Sequence, residues 1–401
     1  MNLRTRLAAA GFAAAVLLSP VVAGSAQADA PLAGPLVPAV APSPQATAAA
    51  TYLADQWKAS QSISNGALAD AIASLAATGL HGDVLAEMNT ALKSQAASYA
   101  TNPGAAGKVA IAALALGEDP TTYGGVDLVQ VITDGLTASP DAGGIFSLPY
   151  AVIALVRADV TVPQASIDAL LDAQDASGAF GYLATWENPP VFTVDGDSTG
   201  VAITALVGLE ESGQGGQDVT DALDAAIGWA QTTQAGDGSW AGYSPANATA
   251  LIGQGLLAAG EDVTDALAYL VDQQSAAGGA GLPSTHDGTS PNLMVTVQGL
   301  LLLAGDDLLN VTLTVATPAP TTTAPVTTAP VTTTPVTTAP VTTAPVSPSP
   351  SISTAPSATP TAERPSALPN TGADGSPLAL LAGLAVASVG ATALVAHRRT
   401  R

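Results

Sequence analysis

The segment "VDGDSTGVAITAL", residues 194–206, sets two carboxylates, Asp195 and Asp197, one residue apart before an apolar run of helical periodicity. A buried carboxylic acid in a dry pocket with tightly bound partners can donate a proton. Two carboxylates about 5–10 Å apart beside aromatic sugar platforms can hydrolyse a glycosidic bond. The stretch "FGYLATWENPPVFTVDGD" (180–197) supplies Phe180, Tyr182, Trp186 and Glu187 as well, so Asp195, Asp197 and Glu187 are the candidate catalytic residues. The same letters also make a plain helix start. Asp197 or Ser198 stands where an N-cap oxygen would accept from the first free N–H groups, and the helix dipole favours a negative charge there. Capping is the preferred reading.

The elements that must position these groups are helical. Alanine, leucine and glycine dominate residues 46–316, and apolar residues recur at helical spacing. The pattern predicts helices over 47–58, 66–79, 83–100, 105–116, 126–137, 146–157, 164–174, 198–211, 218–233, 247–259, 262–274 and 292–304, with no strand of comparable length. Glycine- and aspartate-rich turns such as "EESGQGGQD" (210–218) separate them. Three stretches repeat: "LLDAQDASGAFGY" (170–182), "WAQTTQAGDGSWAGY" (229–243) and "LVDQQSAAGGAGL" (270–282). Each joins a helix end, a Gln and a glycine turn to a second apolar helix, so helical hairpins must stack to bury their faces.

Gln174, Gly178 and Phe180, then Gln234, Gly238 and Trp240, resemble the Q-x-x-x-G-x-(W/F) repeat of squalene cyclases and protein prenyltransferase β-subunits. A third copy has Gln274 and Gly278 but Ala280 at the aromatic place. "GKVAIAALALGEDPTTYGGVDLV" (107–129) looks like secreted actinobacterial prenyltransferase/squalene-oxidase-repeat proteins. The resemblance implies an all-α fold, an α/α toroid of about six hairpins whose inner helices surround a central cavity. In such a repeat Gln can tie a helix end to the next turn, Gly supplies a left-handed cap, and the aromatic plugs the gap between hairpins.

That resemblance brings several activities, each with a demand. Prenyltransferases hold zinc with Asp, Cys and His, and thioester domains of this shape need Cys; this chain has no cysteine, and its body has only His81 and His286. No metal and no cofactor is expected. Cyclases protonate an alkene with D-x-D-D; Asp195 and Asp197 match its first two carboxylates, and Ser198 replaces the last. Lyases of acidic glycans need cations, whereas residues 46–316 carry 29 Asp and Glu against Lys58, Lys93, Lys108 and Arg157, a net charge of −25. That charge also repels nucleic acid and anionic lipid surfaces. Cobalamin carriers of animals pair the toroid with a β-domain, and after Leu303 only "LLNVTLTVA" precedes the stalk. Binding needs only a few polar groups around an apolar mouth. The natural rim is Trp186, Asp195, Asp197, Tyr243, Asn247, His286 and Asn292. Asn247 also opens "NAT", formally a glycosylation acceptor, for which helix capping is preferred.

The ends give the address. Residues 1–30 combine a basic start, an apolar stretch and small residues at "AQADA", as a signal peptide does. Residues 317–367 are almost wholly Thr, Pro, Ala, Val and Ser, a disordered spacer able to reach roughly 150 Å at ~3.1 Å per residue. Residues 368–401 hold "LPNTG", Leu368, Pro369, Asn370, Thr371 and Gly372, then an apolar segment over 378–396 and the basic "HRRTR". This resembles the cell-wall sorting signal of Gram-positive surface proteins. It implies cleavage by a sortase transpeptidase after Thr371 and covalent attachment of Thr371 to peptidoglycan, with the membrane a partner only before sorting. The low lysine and high alanine content resembles high-GC bacteria. The expected function is display of a non-catalytic binding or adhesion domain for an extracellular ligand. The alternative is a wall-tethered glycan hydrolase using the carboxylates near 187–197, and a remoter one is a terpene-cyclase-like enzyme.

Overall fold

The computed structural model describes residues 41–184, 189–286 and 288–313, all within the unit Leu36–Arg401. Among them are α1 (Pro44–Ser60), α2 (Asn65–Thr78), α3 (Gly82–Tyr99), α4 (Pro103–Ala115), α5 (Leu128–Ala138) and α6 (Leu148–Arg157). After α7 (Gln164–Asp172) come two strands, β1 (Gly181–Ala184) and β2 (Val191–Val194). The series ends with α8 (Gly196–Glu211), α9 (Gly216–Thr233), α10 (Pro245–Ala258), α11 (Thr264–Ala276) and α12 (Leu293–Leu303). The chain is thus mostly helical, and the helices lie where the apolar period places them, their ends shifted by about one turn or less. Among the described residues no helix is long and apolar enough to cross a membrane. The signal peptide, the stalk over 317–367, the sorting residues Leu368 to Gly372 and the apolar segment 378–396 all lie outside the described residues.

Two kinds of helix alternate. The even-numbered ones are buried on nearly every side, as in α8, where Ser198 to Leu209 run without an exposed residue. The odd-numbered ones bury one stripe, such as Val219, Leu223, Ile227 and Ala230 of α9. A helix apolar all round must be enclosed by others. The contacts meet that demand: α2 packs on α4, α4 on α6, α6 on α8, α8 on α10, α10 on α12, and α12 returns to α2. Neighbouring inner helices run parallel, since start meets start: Gly104 of α4 lies against Ser147 just before α6, and Gly196 opening α8 lies against Ala248 in the first turn of α10. Asp70 and Lys108, each the sixth residue of its helix, are 2.8 Å apart. Small residues make the approach possible. A Cβ on Gly200 would lie 2.3 Å from the Leu251 carbonyl carbon, and one on Gly107 would lie 2.7 Å from that of Tyr150.

Repeated polar ties fix three outer helices, α7, α9 and α11, to the turn that follows each. Gln174 Nε2 donates to the Gly178 and Ala222 carbonyls (2.9 and 2.8 Å), and Gln234 Nε2 donates to that of Gly238 (3.0 Å). Phe180 and Trp240 are fully buried beyond these turns. A threonine of the following inner helix accepts from each of their backbone N–H groups, Thr199 at 3.0 Å and Thr249 at 3.1 Å. In the third copy Gln274 donates to the Ala280 carbonyl (2.8 Å), and Thr296 accepts from the Leu282 N–H (2.9 Å). Leu282, not Ala280, therefore takes the aromatic place, because the turn carries two extra residues.

The strands depart from a wholly helical expectation. They pair antiparallel with Leu183 opposite Phe192 and Gly181 opposite Val194. Four residues are too few to establish an alternating pattern in the sequence.

Gly238 and Gly260 both have positive φ (88° and 74°), but only at Gly238 would a Cβ meet backbone, 2.2 Å from the Asp265 oxygen. Gly260→Ala is expected to cost about 1 kcal/mol and Gly238→Ala about 3 kcal/mol or more. Urea unfolding followed by circular dichroism checks this, and equal midpoints would refute the packing.

Candidate functional site

The N-terminal ends of the parallel inner helices share one face. The loops that enter it bring Phe146 ahead of α6, the β-hairpin ahead of α8, Tyr243 ahead of α10, and His286 and Asn292 ahead of α12. The Tyr243 and His286 rings stack at 3.8 Å, and Phe146 meets Tyr182 at 5.4 Å in a tilted pair. Phe146, Leu183, Val191, Phe192, Val194 and Tyr243 are large apolar side chains left exposed. Asn292 is the N-cap of α12, accepting from the Val295 N–H at 3.2 Å. Trp186 and Glu187 lie outside the described residues.

Asp195 and Asp197 divide their work differently from the capping expected of Asp197 or Ser198. The helix begins earlier, at Gly196, so Asp195 is the N-cap. Its Oδ2 accepts from the Ser198 N–H (2.8 Å) and the Ser198 hydroxyl (2.5 Å). Asp197 is half-buried and accepts from Asn247 Nδ2 at 2.5 Å. Burial, and then the neighbouring Asp195 charge, push its carboxyl up to about 7 against the opposing Asn247 hydrogen bond. Asn247 is not a cap either. Ser244 precedes α10, while Asn247 sits buried in its first turn with Oδ1 unpaired, so its amide is not presented for glycosylation.

A second polar group lies deeper. Lys108 pairs with Asp70, their side chains 12% and 10% exposed, and its ammonium stands 4.4 Å from the centre of the buried Tyr150 ring. Burial alone would lower the Lys108 ammonium, but the Asp70 charge and then Tyr150 outweigh it and the net shift is upward. Burial pushes the Tyr150 phenol up to about 12; Lys108 opposes the shift, while Asp70 and Asp197 add to it. Breaking such a pair leaves one uncompensated buried charge. The signal in the sequence is a lone charge inside an apolar helix, Asp70 in "NGALADAIASLAAT" and Lys108 in "PGAAGKVAIAALA". Lys108 falls within the family-like stretch 107–129 but neither residue is part of a spaced chemical motif, so spacing alone passes over them.

Between these helices the space is nearly closed. At the depth of Asp70, Ser74, Tyr150, Gln254 and Gln298 the cavity measures about 10 Å³, room for a water molecule and little else. The side-chain oxygens of Gln254 and Gln298 are buried there without a partner. A wide central cavity is therefore not what these inner helices enclose at this depth. Among the described residues no three His, Asp or Glu side chains gather as a metal site.

Comparison with known proteins adds two findings. The LPXTG cell wall anchor motif matches residues 362–400, which include Leu368 to Gly372. The crystal structure of haptocorrin in complex with Cbi is similar in fold, with a TM-score of 0.51 and 13% identity, over 68% of this chain and 69% of that one. No curated protein matches the chain. The anchor motif marks a sortase-anchored surface protein of the Gram-positive cell wall, secreted and covalently attached to peptidoglycan.

Thr371→Ala should move the protein from the wall fraction to the membrane or medium, and unchanged wall retention refutes the attachment. A second prediction concerns pH. Because the folded protein holds the Asp197 proton at pH values where the unfolded chain has lost it, stability falls as pH rises from about 4 to about 7 and stays reduced above that. Asp197→Asn should flatten this fall by about 1–3 kcal/mol. Urea midpoints at pH 5 and pH 8 for both proteins measure it; an identical slope refutes the assignment.

Proposed function

We propose that residues 46–316 form an α/α toroid of about six hairpins, of the prenyltransferase/squalene-oxidase-repeat kind, acting as a non-catalytic binding or adhesion domain. Residues 317–367 are then its wall-spanning stalk and 368–401 its sorting signal. The closed circuit of six parallel inner helices supports the toroid, as does the likeness to haptocorrin, a protein whose structure is a complex with Cbi. The observation that carries the binding reading is the contrast between interior and mouth. At the depth of Asp70, Tyr150 and Gln254 the interior leaves about 10 Å³, whereas the mouth exposes Phe146, Leu183, Phe192 and Tyr243. A ligand is therefore held at the rim, by apolar and aromatic contact with polar groups such as Asp197 and His286 near by.

One observation favours the glycan-hydrolase alternative: the raised Asp197 carboxyl, a proton donor near neutral pH. Such an enzyme needs a second carboxylate free to act as base or nucleophile. Asp195 is committed to Ser198 through two hydrogen bonds, which weighs against it. A cyclase-like reaction meets a further obstacle, since a polycyclic product needs an aromatic-lined chamber and Tyr150 is the one aromatic residue of the six inner helices.

The test compares isolated walls carrying the wild-type chain with walls carrying Asp195→Asn/Asp197→Asn. Both are incubated with soluble polysaccharides and assayed for new reducing ends. No release from either is expected. Release by the wild type that the double variant abolishes would overturn the binding reading in favour of hydrolysis.

A further inference from the structure

We propose that the outer face of the β-hairpin docks a cationic amphipathic peptide; this deepens the binding-domain reading and rests on it. The hairpin register puts Leu183 opposite Phe192 and Gly181 opposite Val194, so Leu183, Phe192 and Val194 share one face. These three side chains are 51%, 39% and 40% exposed. On the other face Ala184 is buried and Tyr182 leans on Phe146, while Val191 at its edge stays half exposed. The base is firmly held: the Asp195 N–H donates to the Phe180 carbonyl (3.0 Å), and Asp195 caps α8. An apolar face that a fixed hairpin keeps in water marks an interaction surface.

Charge selects the occupant. Residues 158–316, which include the hairpin and the helices from α7 to α12, hold 20 Asp and Glu and not one Lys or Arg. Such a field draws cations and repels polyanions, and it repels a second copy of this chain. The partner must bring apolar side chains for Leu183, Phe192 and Val194 and positive charge for the acidic body that carries them. A basic amphipathic helix has both, on opposite faces. Held in the wall, the domain meets such peptides before they reach the membrane, so capture there removes them from solution.

The experiment uses isolated walls from cells displaying the wild-type chain, Leu183→Ser/Phe192→Ser, Phe146→Ser, or no chain. Each is titrated with a fluorescent Lys/Leu amphipathic helical peptide, with a scrambled peptide of the same composition, and with a Glu/Leu analogue. The substituted residues are exposed, and matching unfolding temperatures check the fold. Chain-dependent binding of the Lys/Leu peptide is expected, weakened about tenfold or more by Leu183→Ser/Phe192→Ser. Phe146→Ser should weaken it less, and raising the salt should weaken it further. Equal binding by wild type and double variant overturns the proposal. So does equal binding of the scrambled or Glu/Leu peptide, or self-association of the chain lost in the double variant without peptide binding. Any of these leaves the wider binding reading standing, since that reading falls on glycan turnover.

Discussion

Everything in the body depends on the close approach of six inner helices that each touch two others of their kind. Gly107 against Tyr150 and Gly200 against Leu251 set that distance, because a Cβ at either would collide with backbone. Helices packed this tightly and clad outside by amphipathic partners have no side left for water. They must be apolar nearly all round, and a charge among them needs a partner, whereas the Gln254 and Gln298 side-chain oxygens are buried without one. Asp70 with Lys108 is the case in point: each would be a costly isolated charge, and together they tie α2 to α4. The same packing leaves about 10 Å³ between the helices at the depth of Asp70, Tyr150 and Gln254. Under the proposed binding reading, recognition falls to the face where the helices begin.

How much of this the sequence discloses depends on the length scale of each feature. Twelve helices are legible because an apolar period sustained over ten or more residues suits a helix and misfits a strand. The Gln–Gly turn is legible at Gln174 and Gln234, where the spacing is the same. It is misaligned at Gln274, where two inserted residues move the Thr296-bound position to Leu282. Four-residue strands carry no period, so the hairpin is invisible until its pairing is seen. The cap of α8 is misplaced for a similar reason: a helix can begin at Gly196 as readily as two residues later, and only the Asp195–Ser198 bonds decide. Asp70 and Lys108 lie 38 positions apart, and nothing local says that they touch.

Anchor and body fit one physical picture. A chain tied to peptidoglycan near residues 362–400 projects what precedes it outward. A strongly acidic surface keeps such a body soluble and clear of polyanions. That service needs no specific ligand, so the acidity alone says little about function. The hairpin is the exception within it: its apolar face is of no use to solubility, and burying Leu183, Phe192 and Val194 would have been easy in a chain so rich in helical surface.

Asp197 is the group that most invites a catalytic reading, since perturbed carboxyls gather at active sites. Its shift has a sufficient structural cause. The first N–H groups of α8 and the positive end of its dipole would normally hold a carboxylate low. Here Asp195 takes the cap, accepting both the N–H and the hydroxyl of Ser198. Asp197 is left desolvated beside a charged neighbour, with a single donor, Asn247, whose own Oδ1 is unpaired. Protonation relieves the first fault, because a neutral Asp197 is cheaper to bury and no longer opposes Asp195. A carboxyl raised by rivalry with the cap next to it is what two aspartates one residue apart produce at the start of a buried helix, whether or not a substrate ever meets them.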